Sequence, residues 1–401
     1  MIFPIRWLFS STFRNACYFR KDVIKLLRAQ EDIMHKEDVD EIKKASEKLR
    51  ELLHNGASIE LINGAVSALE DVAGTHLKPT STMRDIFEMA LVVITLALGA
   101  RTFLIQPMKI PTGSMQPTLW GVTYENLKDT PDFQIPSDFK RYVDKWVYGI
   151  SYHQLIAQCD GELRAIEPIK RICPFVSKQR FLIGNMWHTL WFPPTTLSTP
   201  GTASEQALIA SGIHMGQRFK KGEDVIKLKV KTGDYLFVNR LIYNFKKPER
   251  GEIVIFETRG IPGLQQDTFY IKRLIGLGGD TVSIGDDRHV VVNKTRIDAA
   301  TPNFEIVYGF DSNSKYIPNT FFGHVNSKIS RENGGFMTML DGFQDASKSY
   351  TLPEEHALVM GDNTMNSYDS RAWGAFPESK IIGRAGFVYW PISERWSWGY
   401  R

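Results

Sequence analysis

The chain has 401 residues, with 49 Lys and Arg against 45 Asp and Glu for a net charge of +4. That length supports two or three domains around substantial cores, and the charge is too balanced to suggest nucleic acid as a partner. Three cysteines, Cys17, Cys159 and Cys173, form neither a zinc pattern nor a disulfide framework. For Cys159 and Cys173 two readings stay open: a bridge in an oxidising compartment, or two buried free thiols.

Residues 1–85 read as helical. Phe3, Ile5, Trp7, Leu8, Phe9 and Phe13 alternate with Arg6, Arg14, Arg20, Lys21 and Lys25, a composition suited to lying in an interface. Ile42, Ala45, Leu49 and Leu52, and then Ile62, Ala65, Val66, Leu69 and Val72, recur at three- and four-residue steps around the turn HNGAS, which predicts a helical hairpin. The run IFEMALVVITLALGARTFL, 19 residues from Ile86 to Leu104, carries charge only at Glu88 and Arg101 near its ends. At about 1.5 Å per residue it matches a bilayer's hydrocarbon thickness, and a transmembrane helix is expected over residues 86–105. It starts too far into the chain for a cleavable signal peptide.

After Gln106 the texture changes to short β-branched and aromatic runs punctuated by Gly, Pro and Asn, which predicts a mostly β ectodomain. YLFVNRLIY, GEIVIFE, TFYIKRLIGL, TVSI and HVVVN are its expected strands between Tyr235 and Asn293. The 113 residues from Trp120 to Thr232 are too many for a loop and include the Pro/Thr-rich WFPPTTLSTPGT, so an inserted accessory subdomain is expected there. The catalytic domain is then discontinuous, comprising 106–119 and 233–401.

Two side chains stand out chemically. Ser114 lies in PTGSMQPTL, and a serine hydroxyl attacks only when something removes its proton. None of the nine histidines is a strong base for it, whereas Lys272, in YIKR, has the apolar neighbours Tyr270, Ile271, Leu274 and Ile275 that would favour a neutral amine. In a strand, Arg273 points away from the face that Lys272 uses.

Four blocks in order resemble the bacterial type I signal peptidases, or leader peptidases, a family with a serine/lysine dyad: IPTGSMQPTL, GDYLFVNRLIYNFKKPERGEIVIF, YIKRLIGLGGDTV and GDNTMNSYDSRAWGAFPESKIIGRA. The resemblance implies an antiparallel-sheet ectodomain on one transmembrane helix, with no cofactor and no metal. It implies a serine endopeptidase in which Ser114 is the nucleophile and Lys272 the base. Thr112 and the Ser114 N–H would form the oxyanion hole, and Ser367 would orient the lysine. Asp369 and Arg371 would brace the site as an ion pair. Ile110, Pro111, Tyr270 and Ile271 would wall small substrate pockets, so that cleavage follows small residues. Where the family often has arginine this chain has Thr364, which puts one supporting contact in question.

The implied substrates are secretory preproteins, with membrane lipid and the secretion machinery as further partners. The implied location is the cytoplasmic membrane, single-pass, with the amino terminus cytoplasmic and the catalytic domain outside. Basic residues flanking the span, Lys78 and Arg84 before it and Lys109 after it, add little to that orientation. Two other readings remain from the sequence: another serine/lysine hydrolase, or an inactive scaffold of the same fold.

Overall fold

The structure is a computed structural model that describes residues 10–78, 82–130, 132–174, 176–194, 207–309 and 321–397. Phe3, Ile5, Arg6, Trp7, Leu8 and Phe9, and most of the Pro/Thr-rich run, lie outside the described residues. The chain divides into two compact units, Met1–Ala97 and Leu98–Arg401.

The first unit holds helices Ser11–Arg28 (α1), Lys36–His54 (α2) and Ile59–His76 (α3). Ser10 and Ser58 cap α1 and α3 by accepting the N–H groups of Phe13 and Leu61. Val39, Ile42, Leu49 and Leu53 on α2 face Ile62, Ala65, Leu69 and Ala73 on α3, joined through Gly56 at φ +67°. The expected hairpin is therefore present, but α1 completes it as a third helix. Phe13, expected in an interface, is instead buried with Ala16, Val23 and Leu27, because two facing stripes still leave apolar surface that a third must cover.

Helix Thr82–Phe103 (α4) contains the stretch Ile86–Phe103, which is long and apolar enough to cross a membrane and has no buried residue. It ends before the expected residue 105, since Ile105 already opens a strand and pairs with Asn239.

In chain order the strands are Ile105–Lys109 (β1), Thr123–Asn126 (β2), Ile150–Ile156 (β3), Gly161–Ile166 (β4), Lys170–Cys173 (β5), Val176–Ile183 (β6), Met186–Trp191 (β7), Arg218–Phe219 (β8), Asp224–Lys231 (β9) and Tyr235–Asn239 (β10). They continue with Ile253–Glu257 (β11), Phe269–Gly276 (β12), Thr281–Ile284 (β13), Val290–Val292 (β14), Thr295–Arg296 (β15), Tyr350–Thr351 (β16), His356–Met360 (β17), Phe376–Pro377 (β18) and Ile381–Trp390 (β19). The main sheet has seven strands in the order β1-β10-β19-β11-β12-β17-β18, and every pairing in it is antiparallel. A second sheet, β15-β14-β13-β16, packs its Val282, Ile284, Val290 and Val292 into a core with Phe304 and Phe343.

In β12 every residue from Lys272 to Gly276 is buried, so this strand is covered on both faces. Ile253 and Ile255 of β11 pack with Ile110, Met115 and Leu236, while Val254 and Phe256 pack with Leu274 and Val359. Alternation along β11 thus feeds two cores at once.

Residues 120–232 form two further sheets, β2-β9-β3 and β5-β6-β4-β8 with β7 beside β6, around a core that includes Leu155, Leu163, Phe181, Ile183 and Leu228. Helix Asp138–Trp146 (α5) precedes β3. The ends of this segment meet: the Trp120 N–H donates to Asp234 Oδ2 at 2.7 Å, and the Asp234 N–H donates back to the Trp120 carbonyl at 2.8 Å. All three cysteines are free; Cys159 is half-buried and donates to the Ile183 carbonyl, and Cys173 is exposed rather than buried.

Candidate active site

The segment after β1 turns through a single 3-10 turn, Gly113–Met115, that presents Ser114. Met115 is wholly buried in the core below, which settles it as a packing residue, and Met108 packs partly against the same cluster. The Ser114 carbonyl accepts the Asn363 N–H at 3.0 Å, and the Gly113 carbonyl accepts Asn363 Nδ2 at 2.9 Å. Two hydrogen bonds from one residue, 250 positions away in sequence, therefore fix the turn.

Lys272 lies opposite Val254 in the β11–β12 register, and its Nζ is 2.7 Å from Ser114 Oγ and 3.1 Å from the Ile271 carbonyl. Burial lowers its pKa to about 8; the carboxylates of Asp369 and Asp362 oppose that shift and the Arg371 charge assists it. The Tyr270 ring lies 5.8 Å from Nζ.

Those carboxylates are themselves neutralised. Arg371 donates to Asp369 at 2.9 and 2.8 Å, and both side chains are fully buried. Burial pushes Asp369 upward, but the Arg371 charge and hydrogen bonds, the Gly361 N–H and the nearby Ser367 hydroxyl hold it below the ordinary carboxylate range. Thr364 supplies a support of its own where the family often has arginine. Its hydroxyl accepts from Arg371 at 3.0 Å and from the Val325 N–H at 2.8 Å, and its carbonyl accepts from Arg371 at 2.9 Å.

A second buried pair had no sequence expectation. Arg273 forks onto Asp362 at 2.8 and 2.6 Å with both side chains fully buried, and it also donates to the Gly251 and Asn303 carbonyls. Thr118 donates to the same carboxylate. Arg273 does point away from Lys272, into this pair. Asp362 and Asn363 stood inside the GDN string without an assigned role. Their signal was a carboxylate and an amide just after the apolar strand residues ALVM.

Ser367 is buried, and its hydroxyl makes no hydrogen bond of regular geometry; none reaches Lys272. It lies close by, since a Cβ on Gly361 would meet Ser367 Oγ at 2.2 Å and the Ser114 carbonyl at 2.5 Å. Only glycine fits that crossing. Thr112 is exposed with no side-chain cap bond, and the Ser114 N–H donates to no backbone group among the described residues. Ile110 is buried in the core, whereas Pro111, Tyr270 and Ile271 are half-buried at the surface beside the site. Buried His324, pulled down to about 3 by burial and by Arg371, bonds to Tyr308. No group of His, Cys, Asp and Glu among the described residues could hold a metal.

Residues 219–390 match the family described as signal peptidase, peptidase S26. Signal peptidase I of Aquifex aeolicus is 29% identical over 191 residues, covering 40% of this chain and 70% of that protein. Signal peptidase IB of Staphylococcus aureus is 30% identical over 166 residues, covering 41% of this chain and 73% of that protein. The chain belongs to the signal peptidase family. Its class is serine endopeptidase, signal peptidase I. A crystal structure of a signal peptidase I from Enterococcus faecalis is 26% identical and covers 35% of this chain and 97% of that one, with a TM-score of 0.22.

The buried pairs make a stability prediction. Arg273→Met leaves the Asp362 charge uncompensated and should cost about 3–5 kcal/mol, while Arg273→Met with Asp362→Asn should regain most of it. Urea unfolding at neutral pH reads both; equal loss in the single and double variants would show that the pairing itself is not what stabilises.

Proposed function

We propose that this protein removes amino-terminal signal peptides from exported preproteins, with Ser114 as nucleophile and Lys272 as general base. The observation that carries this reading is a buried amine placed 2.7 Å from the Ser114 hydroxyl, with a pKa drawn down to about 8. A neutral Lys272 takes the Ser114 proton as Oγ attacks the scissile carbonyl, forming the tetrahedral intermediate. The protonated amine then donates to the leaving amide nitrogen, and water repeats the sequence on the acyl-enzyme. The Ser114 N–H and the Thr112 hydroxyl, both unengaged, serve as oxyanion donors. We assign to Ser367, buried against Gly361 and the Ser114 carbonyl but not bonded to Nζ in this structure, the task of holding the amine's direction as the reaction proceeds. Pro111, Tyr270 and Ile271 at the surface, with Ile110 behind them, wall pockets suited to small side chains, which sets cleavage after small residues.

In the same reading Ile86–Phe103 crosses the cytoplasmic membrane, residues 1–85 stay in the cytoplasm, and the catalytic domain lies outside among membrane-bound preproteins, lipid and the secretion machinery. Residues 120–232 are accessory to the catalytic strands; they have their own core, and their ends meet at Trp120 and Asp234.

Ser114→Ala, Lys272→Met and Lys272→Arg should each lower preprotein cleavage by at least about a thousand-fold, the last because guanidinium stays charged. Circular dichroism should show each variant folded. Near-normal turnover by folded Ser114→Ala would end the mechanism.

The pH profile follows from the same amine. Below about 8 Lys272 is protonated and cannot accept the serine proton; above it the amine is neutral, so kcat/KM should climb with a midpoint near 8. Ser367→Ala should reduce kcat by about ten- to a hundred-fold through a misdirected amine, with KM little changed. A limb in the ordinary carboxylate range would point to a different base.

Replacing residues 121–232 by a short linker between Trp120 and Gly233 should leave measurable cleavage of a soluble signal peptide. A folded but wholly inactive product would place part of that segment in the catalytic apparatus.

A further inference from the structure

A pocket of about 510 Å³ lies in the region of β2, β3, β5 and the chain after β7. Lys109, Lys145 and Arg171 line it, and no carboxylate does. None of these three cations forms an ion pair among the described residues; Lys109 has only the Tyr235 ring, at 5.5 Å. Surface cations usually have acidic neighbours to offset them, so three without one set up a positive field inside a concavity. His153 stands in the same wall. Burial and the charges of Lys145 and Arg141 pull its pKa down to about 4.

Two further features describe what would fit. Tyr124 lines the pocket, and its hydroxyl is buried without a hydrogen-bond partner, a donor left unmatched. Val122, Val176 and Phe192 supply apolar wall beside the cations. The ligand is thus an anion joined to an apolar body. Helix α5, which contributes Lys145, also leaves Phe139, Tyr142 and Trp146 exposed at steps of three and four residues. Aromatic side chains stacked along one helical face beside basic residues are the chemistry of a membrane's headgroup layer.

We propose that this pocket is a headgroup site for an anionic phospholipid. Lys109, Lys145 and Arg171 hold the phosphate, and the glycerol and upper acyl carbons rest on Val176 and Phe192. The aromatic residues of α5 lie in the adjoining interface. The proposal rests on the reading that Ile86–Phe103 keeps the chain at a bilayer.

The test uses the full chain in neutral detergent, titrated calorimetrically with dihexanoyl phosphatidylglycerol below its micelle concentration. Saturable binding is expected, with none for dihexanoyl phosphatidylcholine. The double variant Lys145→Ala, Arg171→Ala should bind about twenty-five-fold more weakly, roughly five-fold per cation, while Lys145→Arg with Arg171→Lys should bind as wild type does. Both positions are exposed, and an unchanged thermal midpoint will show that the fold persists. Unaltered affinity in the alanine variant, or equal binding of phosphatidylcholine, overturns the proposal. Inorganic phosphate binding as tightly would assign the pocket to free phosphate, and displacement of the lipid by an acidic peptide would assign it to a protein partner; either result overturns the lipid. Cleavage of a soluble signal peptide by the same samples separates the two readings, since its absence counts against the peptidase alone.

Discussion

The proposed mechanism depends on an amine that gives up its proton far more readily than an ordinary lysine. Removing Lys272 from water disfavours its ammonium form, yet two carboxylates, Asp362 and Asp369, favour it. Burial prevails because each carboxylate is already matched to a guanidinium, Asp362 to Arg273 and Asp369 to Arg371. At low dielectric an unmatched carboxylate nearby would restore the proton to the lysine and disable it as a base. In the proposed mechanism the two arginines therefore serve the acid–base chemistry without touching a reacting atom.

The same pairs organise the backbone. Asp369 accepts the Gly361 N–H, Thr364 spans Arg371 and Val325, and Thr118 ties the segment after the serine to Asp362. Asn363 then clamps the Gly113–Ser114 turn from the far side. Hydrogen bonds to buried charges are stronger than neutral ones, so the positions of Ser114 and Lys272 are set by stiff contacts rather than by loop preference.

How much of this could be read from residues alone follows from burial. The meeting of Ser114 with Lys272 was legible because both stand in short distinctive strings, and the helical hairpin was legible from its stripes. The Arg273–Asp362 pair was not, because a charged residue on a strand ordinarily faces solvent. Here β12 is covered on both sides, so Lys272 and Arg273 are buried on opposite faces. Thr364 was illegible for a related reason: a hydroxyl's partners depend on Arg371 and on Val325, which lies far off in sequence. Phe13 was misread because a single amphipathic helix looks alike whether it meets lipid or two other helices.

The topology also orders events in time. Ser114 and Lys272 are 158 residues apart, and Asn363, which clamps the serine turn, comes later still. A chain still emerging from the ribosome carries its apolar helix and its serine long before β17 can be laid beside β12. Until then the amine is solvated and charged, and the serine turn is unfastened. In the proposed mechanism a nascent molecule therefore has no activated nucleophile until the late strands arrive, a delay written into strand order.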